Sequence, residues 1–243
     1  MLVIQHLSHH YGDYQVLDDI NLTVENHQTV ALLGTSGVGK TTLFNLIASN
    51  LAIQTGRIEI DGTTDIKGRI SYMLQKDMLF SHKTVLENIV LPLQIQGVAQ
   101  SVAIEKAEKL LEEFGLARWR DYYPRALSGG MRQRIAFLRT ACFEREWVLL
   151  DEAFGALDAM TRRNMHEWFR SYRKQMGWST LLITHDVEEA LQLADKIYVV
   201  GGKPGRILLE LKVELPQTDF EEMVFQPEFL AYKRELLRVL SVQ

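Results

Sequence analysis

The chain has 243 residues, 47% of them apolar, and carries a formal net charge of −4 with a pI near 6.0. That is enough apolar material for one α/β domain with a smaller satellite, and without a general basic field no nucleic-acid partner is expected. The single cysteine, Cys142, excludes an internal disulfide and lies in the apolar helical run Ile135-Ala-Phe-Leu-Arg-Thr-Ala-Cys142, which predicts a buried structural thiol.

From the N-terminus, Met1-Leu-Val-Ile-Gln-His lacks the basic and apolar regions of a secretion signal, so none is expected. Residues 2–33 alternate apolar and polar positions in short runs, as in Val16-Leu-Asp-Asp-Ile-Asn-Leu-Thr-Val24, and predict a β-rich opening. Val30-Ala-Leu-Leu33 reads as a short buried strand leading into Gly34-Thr35-Ser36-Gly37-Val38-Gly39-Lys40-Thr41, and Thr42-Leu-Phe-Asn-Leu-Ile-Ala48 then takes up helical spacing. Strand, glycine loop and helix in that order make a phosphate-binding loop. The glycines let backbone N–H groups turn inward around a triphosphate, and the helix adds its positive N-terminal end. Lys40 is expected to reach the β- and γ-phosphates, the Thr41 hydroxyl to ligate Mg²⁺, and the run from Gly34 through Thr42 to line the nucleotide.

Beyond the loop, Gly56-Arg-Ile-Glu-Ile-Asp-Gly62 and Ile70-Ser-Tyr-Met-Leu74 read as strands. From about residue 84 to 117 the period changes: Thr84-x-x-Glu87 is a capping box, and Ala103, Ala107, Leu110, Leu111 and Phe114 share a helical face, which predicts a helical insert. The uncharged stretch from Asn88 to Ile104 is interrupted by Gln94, Gln96, Gln100 and Ser101 and is not expected to span a membrane. From Ser128 onward helices alternate with the buried strands Trp147-Val-Leu-Leu-Asp151, Thr180-Leu-Leu-Ile-Thr184 and Lys196-Ile-Tyr-Val-Val200, as in a parallel sheet with covered faces. An amphipathic helix, Pro227-Glu-Phe-Leu-Ala-Tyr-Lys-Arg-Glu-Leu-Leu-Arg-Val-Leu240, closes the chain.

Two of these elements carry chemistry. Asp151 ends a buried strand and is the expected Mg²⁺-side carboxylate; Glu152 follows at once, so in an extended chain its side chain leaves from the other side and is positioned as the base for an attacking water. In Leu127-Ser-Gly-Gly-Met-Arg-Gln-Arg134, Ser128 is suited to cap the next helix while Gly129 and Gly130 leave first-turn N–H groups open to an anion. A plain capped helix start accounts for Ser128 but not for both glycines, which are poor helix formers.

With this third motif the chain resembles, over essentially its whole length, the ATPase subunits of ABC transporters, in which Leu-Ser-Gly-Gly is the signature. The resemblance implies a P-loop NTPase core with a mostly parallel sheet, an N-terminal antiparallel β subdomain and a helical subdomain. It divides the chain into core and β subdomain over 1–83 and 136–213, helical subdomain over 84–135 and a C-terminal helical extension over 214–243. It further implies ATP and Mg²⁺ as ligands, and a head-to-tail homodimer whose ATP molecules each lie between one subunit's phosphate loop and the other's signature. By the same resemblance Tyr11 stacks on adenine, Gln75 touches Mg²⁺ or water and couples the site to the membrane subunit, Asp158 in Gly155-Ala-Leu-Asp158 crosses the dimer interface, and His185 is the switch at the γ-phosphate. Asp158 also reads as a helix N-cap. Two departures are visible: Ala153 and Arg145 stand where the family commonly has proline.

The stretches Phe154-Gly-Ala-Leu-Asp-Ala-Met-Thr161, His185-Asp-Val-Glu-Glu-Ala190 and Lys203-Pro-Gly-Arg-Ile207 resemble importers of nitrate, sulfonates, taurine and thiamine-pyrimidine precursors, with Leu138-Arg-Thr-Ala-Cys142 leaning toward the last. Such an importer implies transmembrane permease subunits, an extracytoplasmic substrate-binding protein reached indirectly, and a peripheral place on the cytoplasmic face of a bacterial membrane. The resembled groove for a permease helix falls on Met78, Leu79 and Phe80. The rival classes are a soluble ABC-type ATPase, which typically has tandem halves or a long coiled-coil insert, and a P-loop GTPase or small-molecule kinase, which would lack Leu-Ser-Gly-Gly. The chain also has no Asn-Lys-x-Asp guanine motif.

Overall fold

Alternation along the first 24 residues becomes a hairpin, β1 (Leu2–Tyr11) against β2 (Tyr14–Val24), in register from Leu2 opposite Val24 to Tyr11 opposite Tyr14. The computed structural model describes residues 1–215 and 220–241. After β3 (Thr29–Leu33) and α1 (Lys40–Ile47), β4 (Thr55–Ile60) returns to the other edge of β1, giving an antiparallel sheet ordered β2-β1-β4. The chain continues through β5 (Ile70–Met73), α2 (Val85–Ile95), α3 (Gln100–Glu113), α4 (Gly129–Cys142), β6 (Trp147–Asp151) and α5 (Ala159–Met176). It closes through β7 (Ser179–Thr184), α6 (Val187–Leu193), β8 (Lys196–Gly201), β9 (Arg206–Lys212), α7 (Phe220–Met223) and α8 (Pro227–Leu240).

The second sheet is ordered β5-β6-β7-β3-β8-β9, parallel except for β9, which pairs antiparallel with β8. β9 was not expected as a strand. It lies at the sheet edge, and exposed Leu208 between half-buried Ile207 and Leu209 blurs the two-residue period that marks a half-buried strand.

The central strands are buried on both faces, and the pleat sends alternate residues to different layers. On one face Val30, Leu32, Leu149, Leu181 and Ile183 pack with the antiparallel sheet and α1. On the other, Ala31, Leu33, Ile197 and Val199 meet α6 and α8, while Val148, Leu150 and Leu182 meet the helices before and after β6. A fully buried Leu or Phe of these layers contributes about 1.5–3 kcal/mol relative to exposure.

Residues 84–135 hold α2, α3, two short 3-10 turns and the first part of α4. The capping box forms as expected: Thr84 Oγ1 accepts from Glu87 N–H at 3.2 Å and Glu87 Oε2 accepts from Thr84 N–H at 2.7 Å. Those bonds hold the Glu87 carboxyl below the usual range. Ala103, Ala107, Leu110, Leu111 and Phe114 are all buried, as their shared face predicts. Cys142 is buried, and burial pushes its thiol up to about 12, which suits a structural role. In the extension, α8 buries Phe229 and Leu236; residues 216–219 and 242–243 of the expected 214–243 segment lie outside the described residues. Among the described residues no helix is long and apolar enough to cross a membrane.

Candidate active site

β3, buried throughout, delivers the chain into the glycine loop, and two of its glycines are demanded by the packing. A Cβ on Gly34 would stand 2.3 Å from the Val200 carbonyl oxygen of β8. Gly39, the N-cap of α1, has φ 97°, and a Cβ there would lie 2.7 Å from Leu17 Cδ2 of β2. Both left-handed backbone and close approach favour glycine alone. Gly39→Ala is therefore expected to lose about 1–3 kcal/mol of stability and to weaken nucleotide binding, read by denaturant unfolding and nucleotide titration. Unchanged values in both would show that the loop accommodates the methyl group.

Between these anchors Thr35, Ser36 and Gly37 form an exposed crest, while Val38 turns into the core. Lys40 is buried beneath it, and its Nζ donates to the carbonyls of Gly34 and Thr35, both at 2.8 Å. Burial pushes the Lys40 ammonium down, against the opposing pull of the Glu152 and Asp151 charges. A desolvated cation held, among the described residues, by carbonyl dipoles and more distant carboxylates is well prepared to meet a phosphate.

Asp151, at the end of β6, is 2% exposed and accepts from Thr41 Oγ1 at 3.2 Å and from Tyr72 OH at 3.4 Å. Burial raises its pKa, the neighbouring Glu152 charge adds to the rise, and the hydrogen bonds to Thr41 and Tyr72 offset part of it. Tyr72 was missed in the sequence. It stands on β5 beside β6, and only that parallel pairing carries its hydroxyl to the carboxylate.

Glu152 corrects the expectation of an extended chain. Its φ is 48°, a left-handed conformation that costs a non-glycine residue about 1–2 kcal/mol. The turn is held by Glu152 N–H donating to the Ile183 carbonyl at 3.0 Å. The carboxylate consequently meets two other expected site residues: Gln75 Nε2 donates to Oε2 at 3.0 Å, and His185 Nδ1 stands 3.5 Å from Oε1. Lys40, Thr41, Gln75, Asp151, Glu152 and His185 thus converge at the C-terminal ends of β3, β5, β6 and β7. Ligands of open parallel sheets bind at that edge.

Ala153, one of the two departures, is buried and its carbonyl accepts from Gln133 Nε2 of α4 at 3.2 Å, so this turn is tied to the signature helix without a proline. The other departure, Arg145, lays its guanidinium over Phe143 at 5.2 Å.

The remaining expected residues sit in other surroundings. Ser128 caps α4, its Oγ accepting from Met131 N–H at 3.3 Å, and Asp158 caps α5, accepting from Thr161 N–H at 3.0 Å. The capping bonds lower the Asp158 carboxyl. A Cβ on Gly129 would meet only the tip of the Arg132 side chain at 3.9 Å, and one on Gly130 only Leu157 at an ordinary 3.5 Å, so packing within the chain does not demand either glycine. Tyr11 is not core: the residue is 51% exposed at the hairpin end, its ring edge-to-face with buried His9 at 4.9 Å. Two further residues were missed. Arg132 bonds Asp77 Oδ2 at 3.0 Å and the Leu127 carbonyl at 2.9 Å, and Arg139 donates to the carbonyls of Asp77 and Met78 at 2.7 and 2.8 Å. Together they fasten the segment after Gln75 to the helix that Ser128 begins.

Residues 17–155 match the family described as ABC transporter. The nitrate import ATP-binding protein NrtD of Synechocystis is 36% identical, over 94% of this chain and 89% of its own length. The formylaminopyrimidine import ATP-binding protein ThiZ of Halalkalibacterium halodurans is 39% identical over 88% and 84%, and the taurine import ATP-binding protein TauB of Escherichia coli K12 is 36% identical over 98% and 96%. Among solved structures, the dimeric ABC transporter cassette MJ0796 superposes with a TM-score of 0.80 at 26% identity, covering 88% of this chain and 99% of that one. The same cassette in a post-hydrolysis state with ADP and Pi superposes equally well at 25% identity. By that family match over residues 17–155 and by these relatives, the chain belongs to the ABC transporter family, as one of its ATP-binding and ATP-hydrolysing subunits.

Proposed function

We propose that this chain energises an importer of a small solute of the nitrate, sulfonate, taurine or thiamine-pyrimidine-precursor class. It does so as a peripheral homodimer beneath permease subunits on the cytoplasmic face of a bacterial membrane, with an extracytoplasmic binding protein supplying the solute. Import ATP-binding relatives that align over nearly the whole chain support the class.

In this reading Tyr11 stacks on adenine, residues 34–42 wrap the phosphates, and Lys40 neutralises the β- and γ-phosphates. Thr41 and Asp151, with Gln75, would hold Mg²⁺. Hard oxygens facing one another at 3.2 Å suit that ion, and a cation would relieve the unfavourable burial of the Asp151 charge. When bound, Mg²⁺ screens the triphosphate charge. Glu152, already aligned by Gln75, takes the proton of the attacking water, and His185 contacts the γ-phosphate. Ser128, Gly129 and Gly130 serve the ATP on a second copy, which gives the otherwise undemanded glycines a reason: anion access to open N–H groups. Asp158 lies at the same interface.

The observation that carries coupling is the path out of the site. Gln75 bonds Glu152 on one side and on the other leads within five residues to Met78 and Phe80, which are 58% and 43% exposed. The expected three-residue surface is narrower than the sequence suggested, because Leu79 packs against the core while Asn88 fixes Phe80 through its backbone N–H and carbonyl at 2.8 and 3.2 Å. Replacing Met78 and Phe80 together by Asp is expected to leave folding and ATP hydrolysis of the isolated subunit within about twofold, since exposed substitutions cost about 0.5 kcal/mol or less. Recovery with membranes, on co-expression with the permease subunits, should be abolished. Retained membrane recovery and uptake would place the coupling surface elsewhere, and an unaltered chain that is never recovered with membranes would favour a soluble ATPase.

A further inference from the structure

Two ionisable side chains that the hydrolytic reading does not use are buried against each other behind the site. His166 of α5 and Glu189 of α6 are 4% and 5% exposed, with His166 Nε2 lying 3.1 Å from Glu189 Oε1. Desolvating a carboxylate and an imidazole is costly, and apolar residues of similar volume commonly fill such a space with no loss of stability. What a buried polar pair supplies instead is direction, because in a low-dielectric interior a hydrogen bond strongly favours one geometry.

The pair lies between the two turns that present Glu152 and His185. Phe154, two residues past Glu152 and fully buried, meets the His166 ring edge-to-face with centroids 4.9 Å apart. One helical turn earlier on α5, Arg162 donates to the carbonyls of Phe154 and Leu157 at 3.3 and 2.8 Å, so α5 grips the turn after Glu152 at several points. Glu189 sits in the first turn of α6, whose cap, Asp186, directly follows His185 and accepts from the N–H groups of Glu188 and Glu189 at 2.9 and 3.2 Å. A single side chain, His166, thereby joins the Glu152 turn to the start of the helix after His185.

We propose that His166 and Glu189 are positioning residues that hold Glu152 and His185 in register for attack on the γ-phosphate. The proposal rests on the hydrolytic roles assigned above to those two residues. Misplacement of a reacting group by about 1 Å costs on the order of 100-fold in rate, so a loosened pair should lower kcat while leaving ATP binding at the phosphate loop intact.

The test compares Glu189→Gln, which keeps an acceptor for His166, with Glu189→Met, which fills the space without one. In the full chain, Glu189→Gln is expected to retain kcat within about threefold, and Glu189→Met to lose about 10- to 100-fold with unchanged ATP affinity in a nucleotide titration. If Glu189→Met folds poorly because His166 is left unpaired, the double variant His166→Leu/Glu189→Met removes both polar groups and should show the same split. Normal kcat in either folded apolar variant overturns the proposal, as does an equal loss in the Gln variant or a parallel loss of ATP affinity. A Glu152→Gln chain assayed alongside separates the two readings: normal turnover there would remove the role of Glu152 itself, whatever the Glu189 variants do.

Discussion

Glu152→Gln is expected to bind ATP as the unaltered chain does while its turnover falls by about 10²- to 10⁴-fold, the usual contribution of a positioned general base. The amide is nearly isosteric and can still meet Gln75 and His185, which lie 3.0 and 3.5 Å from the present carboxylate, so the left-handed turn at this residue should persist. What disappears is the capacity to take a proton from water. Because hydrolysis is then blocked after binding, ATP should trap the variant as a dimer through the partner's Ser128, Gly129 and Gly130, whereas nucleotide-free protein should elute mainly as monomer. Near-normal hydrolysis would remove Glu152 as the base. Elution profiles indifferent to ATP would count against the shared site.

Lys40→Ala should show the opposite division, losing ATP affinity itself. A charge-assisted hydrogen bond contributes about 1.5–3 kcal/mol, so the loss is on the order of 10- to 100-fold in Kd. Lys40 is buried with its ammonium pushed down by desolvation, and its present partners are the carbonyls of Gly34 and Thr35. In the nucleotide-free chain truncation removes an unfavourably buried charge together with two hydrogen bonds, and these oppose each other in stability. With ATP present, by contrast, nothing else in the loop carries a positive charge. Titration of a fluorescent ATP analogue checks the affinity and thermal unfolding without nucleotide checks the fold. Unchanged affinity would place the phosphates away from Lys40.

The order of strand, glycine loop and helix over residues 29–47, the Thr84 capping box and the caps at Ser128 and Asp158 were legible because each depends on residues within one turn or loop. A helix cap needs only a side-chain oxygen three residues before an open N–H, and a phosphate loop needs glycine freedom followed by a helix start. Buried runs such as Trp147-Val-Leu-Leu-Asp151 were equally plain, since a strand covered on both faces has few polar residues. Asp151 and Glu152 could be named for the same reason: they interrupt that pattern where the strand ends.

Contacts between distant residues depended on the register and curvature of the assembled sheet. Gln75 and Glu152 are 77 positions apart, and Tyr72 and Asp151 are 79 apart; each pair meets only because β5 lies parallel to β6. The left-handed backbone at Glu152 has no local signature, for glutamate avoids that conformation unless surrounding bonds impose it, as the Ile183 carbonyl does here. Likewise three successive apolar residues, Met78, Leu79 and Phe80, look alike in composition, yet backbone direction turns one inward and leaves two exposed. His166 and Glu189 stand 23 positions apart, and no local pattern links them. Burial alone, set by how α5 and α6 pack together, makes them a pair.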